Sequence, residues 1–152
     1  MYNSYHTFNY ASRGAQIIVT MLTVIIIASI IFLVAVLVPF INIKMDVYIA
    51  DDTFMAEGGG YKCSINIGDI QEVQLFEEMP KDNFTKTNGG STDEYDVGNY
   101  KGRTYGKCML FIWDDYSPVL MIKSSNKTVF VNSKEDGYIR QMYDELVNYV
   151  GK

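Results

Sequence analysis

Lys107–Asn132, KCMLFIWDDYSPVLMIKSSNKTVFVN, decides the fold of this chain. Lys107 to Trp113 is apolar at both odd and even positions, as a strand buried on both faces must be. Asp114-Asp115 ends it, Val119 to Lys123 forms a second strand, Ser124-Ser125-Asn126 turns the chain, and Thr128 to Asn132 returns. Of these three strand candidates, Lys107–Trp113 should be central in its sheet.

Downstream, the pattern changes period. Ile139, Met142, Tyr143, Leu146, Val147 and Val150 recur at spacings of three and four, the apolar stripe of a helix predicted over about 134–150. Ser133 with Asp136 makes a capping-box pattern, and Gly151 can stop the helix. Upstream, Val47–Ala50 and Thr53–Glu57 are short strand-like runs, and Gly58-Gly59-Gly60 signals a turn. Cys63, Ile65 and Ile67 then alternate, as do Val73 and Leu75 before Pro80 closes that run. Lys81–Gly106 is polar and rich in Gly, Asn and Thr; Asn88-Gly89 is a tight-turn dipeptide, and one short strand is expected near Tyr100–Tyr105. About six or seven strands followed by one amphipathic helix give an α+β class, with a small antiparallel barrel capped by the terminal helix as one solution and an open sheet as the other.

Ahead of this domain lies Ile17–Val38, IIVTMLTVIIIASIIFLVAVLV. It has no charge, and its only polar side chains are Thr20, Thr23 and Ser29, which can bond back to the carbonyl one turn earlier. As a helix it is roughly 33 Å long, the thickness of a bilayer core, so residues 17–38 are expected to be an uncleaved transmembrane helix contacting the lipid bilayer. Residues 1–16 form a polar and aromatic arm suited to the headgroup layer, with Tyr2, Tyr5, Phe8, Tyr10 and Arg13. Residues 39–45 are a juxtamembrane segment in which Pro39 should end or kink the helix, and residues 46–152 are the soluble domain, held close to the membrane surface. Arg13 and the α-amino group against Lys44 place the N-terminus inside and the domain outside a cell membrane crossed once.

All 18 acids lie at or beyond Asp46, whereas two of the 13 bases, Arg13 and Lys44, precede it, so the domain is more acidic than the chain's net −5. Nucleic acid and anionic lipid surfaces need a basic face and are not expected partners. The one histidine, His6, lies in the arm. No Cys/His set for a metal is present, no cofactor is expected, and Cys63 and Cys108 lack a histidine to activate them. These cysteines are either a disulfide, if their Cα atoms lie within about 7 Å, or two small buried hydrophobes. The acid pairs Asp51-Asp52, Glu77-Glu78 and Asp114-Asp115 sit at turns and point to opposite sides of a strand, a poor arrangement for paired acid and base work. Catalysis is therefore not expected. A binding module is, with Asn88, Gly89, Tyr100, Lys101, Arg103 and Lys107 of the polar stretch as the candidate partner-binding loop, facing Asp93, Glu94 and Asp96. The partner would be a protein or an envelope component. The alternative is a structural subunit of a membrane or cell-envelope assembly, its span packing through small residues such as Ala28, Ser29 and Ala35.

Several short motifs recur in a familiar order: Tyr61-Lys62-Cys63-Ser64-Ile65, Gly68-Asp69-Ile70, Val73 with Leu75 and Pro80, Thr87-Asn88-Gly89-Gly90, Gly98-Asn99-Tyr100, Tyr105-Gly106-Lys107, Asn132, and Tyr143 with Leu146. In this order the chain resembles the bacterial pleckstrin-homology-like (bacterial PH domain) family, whose members often follow a membrane anchor. The resemblance covers about residues 46–150. It implies two roughly orthogonal antiparallel sheets forming a seven-stranded PH-like barrel closed by the terminal helix, and a binding role. The lipid-binding branch of that superfamily reads phosphoinositides with a basic first hairpin. Here that hairpin is Glu57-Gly58-Gly59-Gly60-Tyr61-Lys62, so phosphoinositide binding is not expected.

Overall fold

The computed structural model describes the backbone of residues 4–41 and 44–150, and the side chains of residues 13–36 and 44–150. Contacts divide the chain into two units, Met1–Asn42 and Ile43–Lys152.

The first unit is one helix, α1 (Ser4–Ile41). It is helical from Ser4, so residues 4–16 of the arm belong to the same helix, and it passes Pro39 rather than ending there. Its apolar part long enough to cross a membrane is Arg13–Val36. The side chains of that part stand in the open, Phe32 at 72% and Ile31 at 63% exposure. The three hydroxyls bond back as their chemistry requires: Thr20 to the Gln16 carbonyl at 2.9 Å, Thr23 to Val19 at 2.9 Å, and Ser29 to Ile25 at 2.8 Å. The helix therefore presents neither a free hydroxyl nor a charge along 17–36.

The second unit holds β1 (Met45–Ala50), β2 (Thr53–Gly58), β3 (Tyr61–Asn66), β4 (Ile70–Phe76), β5 (Thr85–Ser91), β6 (Tyr95–Gly102), β7 (Gly106–Trp113), β8 (Val119–Ser124), β9 (Thr128–Val131) and α2 (Tyr138–Val150). The α+β class holds. The ladders define a three-stranded sheet, β1-β2-β3, and a six-stranded sheet, β4-β8-β9-β7-β6-β5, and no ladder joins the two among the described residues. Nine strands thus replace the expected six or seven, closure into a barrel is not shown, and one pair, β7 with β9, is parallel. The small sheet is a meander with two tight turns. Asp51-Asp52 (φ 47° and 56°) and Gly59-Gly60 (φ 57° and 82°) both place two residues in the left-handed region, as two-residue hairpins prefer.

The double-sided burial of the middle strands is explained by what lies on each side. Phe111, Leu120, Ile122, Val129 and Val131 face a core shared with Phe54 and Ala56 of the small sheet and Ile139, Met142 and Leu146 of α2. The alternate residues, Leu110, Ile112, Val119, Met121 and Phe130, face a second cluster. The helix begins at Tyr138 rather than at 134. Ser133 Oγ accepts from the Glu135 N–H at 3.0 Å, making a local turn, and Gly137 at φ 75° sets the entry to α2.

The polar stretch corrects the sequence reading most. Residues 85–102 are not a loop but the β5–β6 hairpin, and Asn88-Gly89 lies inside β5 at a register shift instead of at its turn. β4 and β5 are opposite edges of the large sheet. The link Glu77–Phe84 that joins these edges packs Met79 and Phe84 against the second cluster, and it turns tightly where the Asp82 N–H bonds the Pro80 carbonyl and the Phe84 N–H bonds that of Asp82.

Candidate functional site

The crossing link is fastened at one end of the sheet. Asp82 accepts from the backbone N–H groups of Arg103 (2.9 Å), Thr104 (3.1 and 3.0 Å) and Tyr105 (3.3 Å), all in the β6–β7 turn. Burial pushes the Asp82 carboxyl up, but these donors outweigh it and hold the group below its usual range. Phe84 then meets Phe130 edge-on at 5.4 Å and lies parallel to Tyr105 at 6.2 Å. Only Gly102 permits this approach, because a Cβ there would stand 2.1 Å from Asp82 Oδ2. The link covers that half of the face. The other half stays open.

The open half is a groove of about 630 Å³. Tyr100, Leu110, Ile112 and Val119 form its floor, Met79 and Phe84 one wall, and the β7–β8 loop from Trp113 to Ser117 the other. Lys86 and Ser91 of β5 line it where it reaches the sheet edge. Its carboxylates are Glu78, Asp96, Asp114 and Asp115, and its one cation is Lys86. Tyr100, 4% exposed, donates its hydroxyl to Asp96 at 2.9 Å. Burial, then that bond to a carboxylate, raises the phenol well above its ordinary value. Asp114 is also raised, by burial first and then by Asp96, Asp115 and Asp93. The carboxylates near Asp114 thus add to the burial that disfavours its charge.

The loop wall is set by one buried amide. Asn132, 1% exposed, accepts from the Trp113 N–H at 2.7 Å and donates to the carbonyls of Trp113 and Tyr116, each at 2.7 Å. It spans β9, the end of β7 and the loop. On the outer side of this wall Lys134 places its ammonium 3.7 Å from the Trp113 ring centre and 5.6 Å from that of Tyr116. It borders a second depression with Asp93, Glu94, Asp114 and Asp115.

Of the six residues singled out in the sequence, one enters the groove: Tyr100, in the floor. Asn88 and Gly89 lie on the edge strand, where Asn88 Oδ1 accepts from the Tyr61 hydroxyl at 2.9 Å. Lys101 and Lys107 are direct cross-strand partners, next in sequence to Tyr100 and Cys108 and so on the opposite face. Arg103 is in the β6–β7 turn, its backbone held by Asp82. Asp93 and Glu94 sit at the far end of β6, so the expected facing of basic and acidic clusters is not found. Trp113, Asp114, Asp115, Tyr116 and Lys134 were not singled out as site residues. The only sequence signal for them is an acid pair and aromatic rings packed into one short strand connection.

The cysteines are settled. Cys63 faces the core between the sheets and Cys108 the second cluster, on opposite sides of the large sheet, and both are free. Burial raises both thiols, that of Cys108 to about 11. Among the described residues no group of three or more His, Cys, Asp or Glu is arranged to hold a metal ion. No family model matches this chain, and comparisons with curated proteins and with solved structures yield no match either.

Proposed function

We propose that this chain is a single-pass membrane protein whose α1 is the anchor and whose second unit is a binding domain at the membrane surface, acting by binding rather than by catalysis. The observation that carries the reading is the groove: a half-open, apolar-floored hollow on a sheet, ringed by polar groups, is the usual form of a ligand site. Its residues supply surfaces, charges and hydrogen bonds, and the two thiols are buried elsewhere. The anchor is supported by the exposed apolar side chains of 17–36, which need a non-aqueous environment. We place the domain on the outer side from the distribution of Arg13 and Lys44. Kinship with the bacterial PH-like family remains part of the proposal. Two sheets and a terminal helix accord with it, while nine strands and the parallel β7–β9 pair depart from it.

The test is site-specific photocrosslinking in native membranes. A benzophenone side chain replaces Tyr116 in the groove wall or Asn148 on the exposed face of α2. A binding groove gives a discrete adduct from position 116 and none from 148. Equal yields from both positions, or none from either, would refute the assignment.

A further inference from the structure

We infer that the groove takes an extended, lysine- or arginine-bearing segment of a protein partner, laid beside β5. This inference rests on the binding-module reading above and names its ligand class. Three observations carry it. The first is shape: the floor of Leu110, Ile112 and Val119 is apolar and nearly fully buried, the walls add the partly exposed Met79, Phe84 and Tyr116, and the acids stand around them. A basic side chain matches that profile, because its aliphatic stem covers apolar surface while its charged head reaches polar surroundings.

The second is charge. Glu78, Asp96, Asp114 and Asp115 face a single Lys86, and burial, then the neighbouring acids, resist the ionisation of Asp114. A bound cation relieves that repulsion, whereas an anion adds to it. The third is a cation supplied by the chain itself. Lys134 sits over the Trp113 indole at 3.7 Å, beside the same Asp114–Asp115 pair. Lys134 lies outside the groove, on the far side of the loop, so the acid pair shared by the two depressions already neighbours one ammonium there.

The sheet edge explains why the segment would be extended. β5 pairs with β6 on one side and has no ladder partner on the other among the described residues. Lys86 and Ser91 bring the groove to that strand. A peptide pairing there as an added strand points every second side chain to the groove face.

The experiment uses the full chain in neutral detergent micelles. Trp113, the only tryptophan, borders the groove at the end of β7 with its ring packed on the Tyr95 side, and its fluorescence reports occupancy through the adjoining Asp114 and Asp115. The probes are two alternating hexapeptides, acetyl-(Lys-Thr)₃-amide and acetyl-(Glu-Thr)₃-amide. The lysine peptide should change Trp113 emission saturably and the glutamate peptide should not. The double variant Asp114→Asn/Asp115→Asn should weaken lysine-peptide binding at least tenfold; Asn tolerates the left-handed φ of 63° at position 115. Asp51→Asn/Asp52→Asn, the same charge change in the β1–β2 turn, should leave binding unaltered. Circular dichroism establishes that each variant is folded. Equal binding of both peptides, equal loss in both double variants, or no lysine-peptide binding to the folded wild-type chain overturns the inference. If the position-116 crosslink forms while the lysine peptide fails, the ligand class is wrong and the binding groove stands. If both fail, both readings fall.

Discussion

Replacing Asn132 by alanine should unfold the groove wall before anything else. The side chain makes three hydrogen bonds of 2.7 Å at a site 1% exposed. Each intramolecular bond contributes about 1 kcal/mol net, and partners left unpaired in the interior cost more, so a total loss of about 3–4 kcal/mol is expected. For a domain of this size each kcal/mol lowers Tm by about 4–8 °C, giving a fall of about 12–32 °C. The assay is thermal unfolding of the full chain in neutral detergent, followed in the far ultraviolet for the sheets and in the near ultraviolet for Trp113. The aromatic signal should weaken below the main transition, because Trp113 and Tyr116 lose their common tie. Asn132→Asp keeps the shape but loses both donors and buries a carboxylate, so at pH 7 it should be at least as harmful. A fall in Tm under about 3 °C in Asn132→Ala would show that the amide does not hold the loop, and that the wall is set by something else.

Three further outcomes follow from the same structure. The Asp82 carboxyl is held below its unfolded value, so its stabilisation is present above the unfolded pKa and lost as pH falls through the folded one. Asp82→Asn should therefore lower Tm at pH 7, and the gap from wild type should close in acid; a gap that is constant with pH would mean the charge plays no part. Asp114 has the opposite sign: its folded pKa is raised, so its protonated form is favoured at low pH and its charge opposes folding as pH rises. Asp114→Asn should raise Tm at pH 7 and lose that gain below the unfolded carboxylate range, and a destabilised variant at neutral pH would contradict this. Finally, Cys63 and Cys108 are buried and free, so a membrane-impermeant thiol reagent on intact cells should label neither in the native state and both after mild denaturation, without reduction. Labelling that needs a reductant would contradict the free thiols, and labelling only in broken cells would reverse the proposed orientation.

The sequence was most legible where burial is two-sided. Leu110, Phe111 and Ile112 announce a central strand because both faces of the sheet are covered, one by the small sheet and α2 and the other by the crossing link and second cluster. It was least legible in β5. TKTNGGS is polar and glycine-rich, and its residues form a strand only because β6 pairs with them. Local propensity there is overridden by a non-local ladder. The insertion of β9 between β7 and β8 is likewise a matter of long-range pairing, which periodicity does not encode.

The groove follows the same logic. Tyr100 could be singled out as an aromatic in a polar stretch, but its neighbours come from a strand connection, an edge strand and a link that crosses the sheet. The basic trio Lys101, Arg103 and Lys107 is adjacent in sequence yet lies at the hairpin end and on the other face. Asp82, which reads as one more polar loop residue, fastens the link by three backbone groups more than twenty residues away.

The proposed anchoring role of α1 decides where any partner would be met. Carbonate extraction of membranes, followed by the intact mass of the retained protein, tests it most directly. The protein should stay with the lipid and carry the α1 sequence still attached to Ile43–Lys152. Release of a shorter chain lacking that helix would show a removed leader and contradict a membrane-tethered domain.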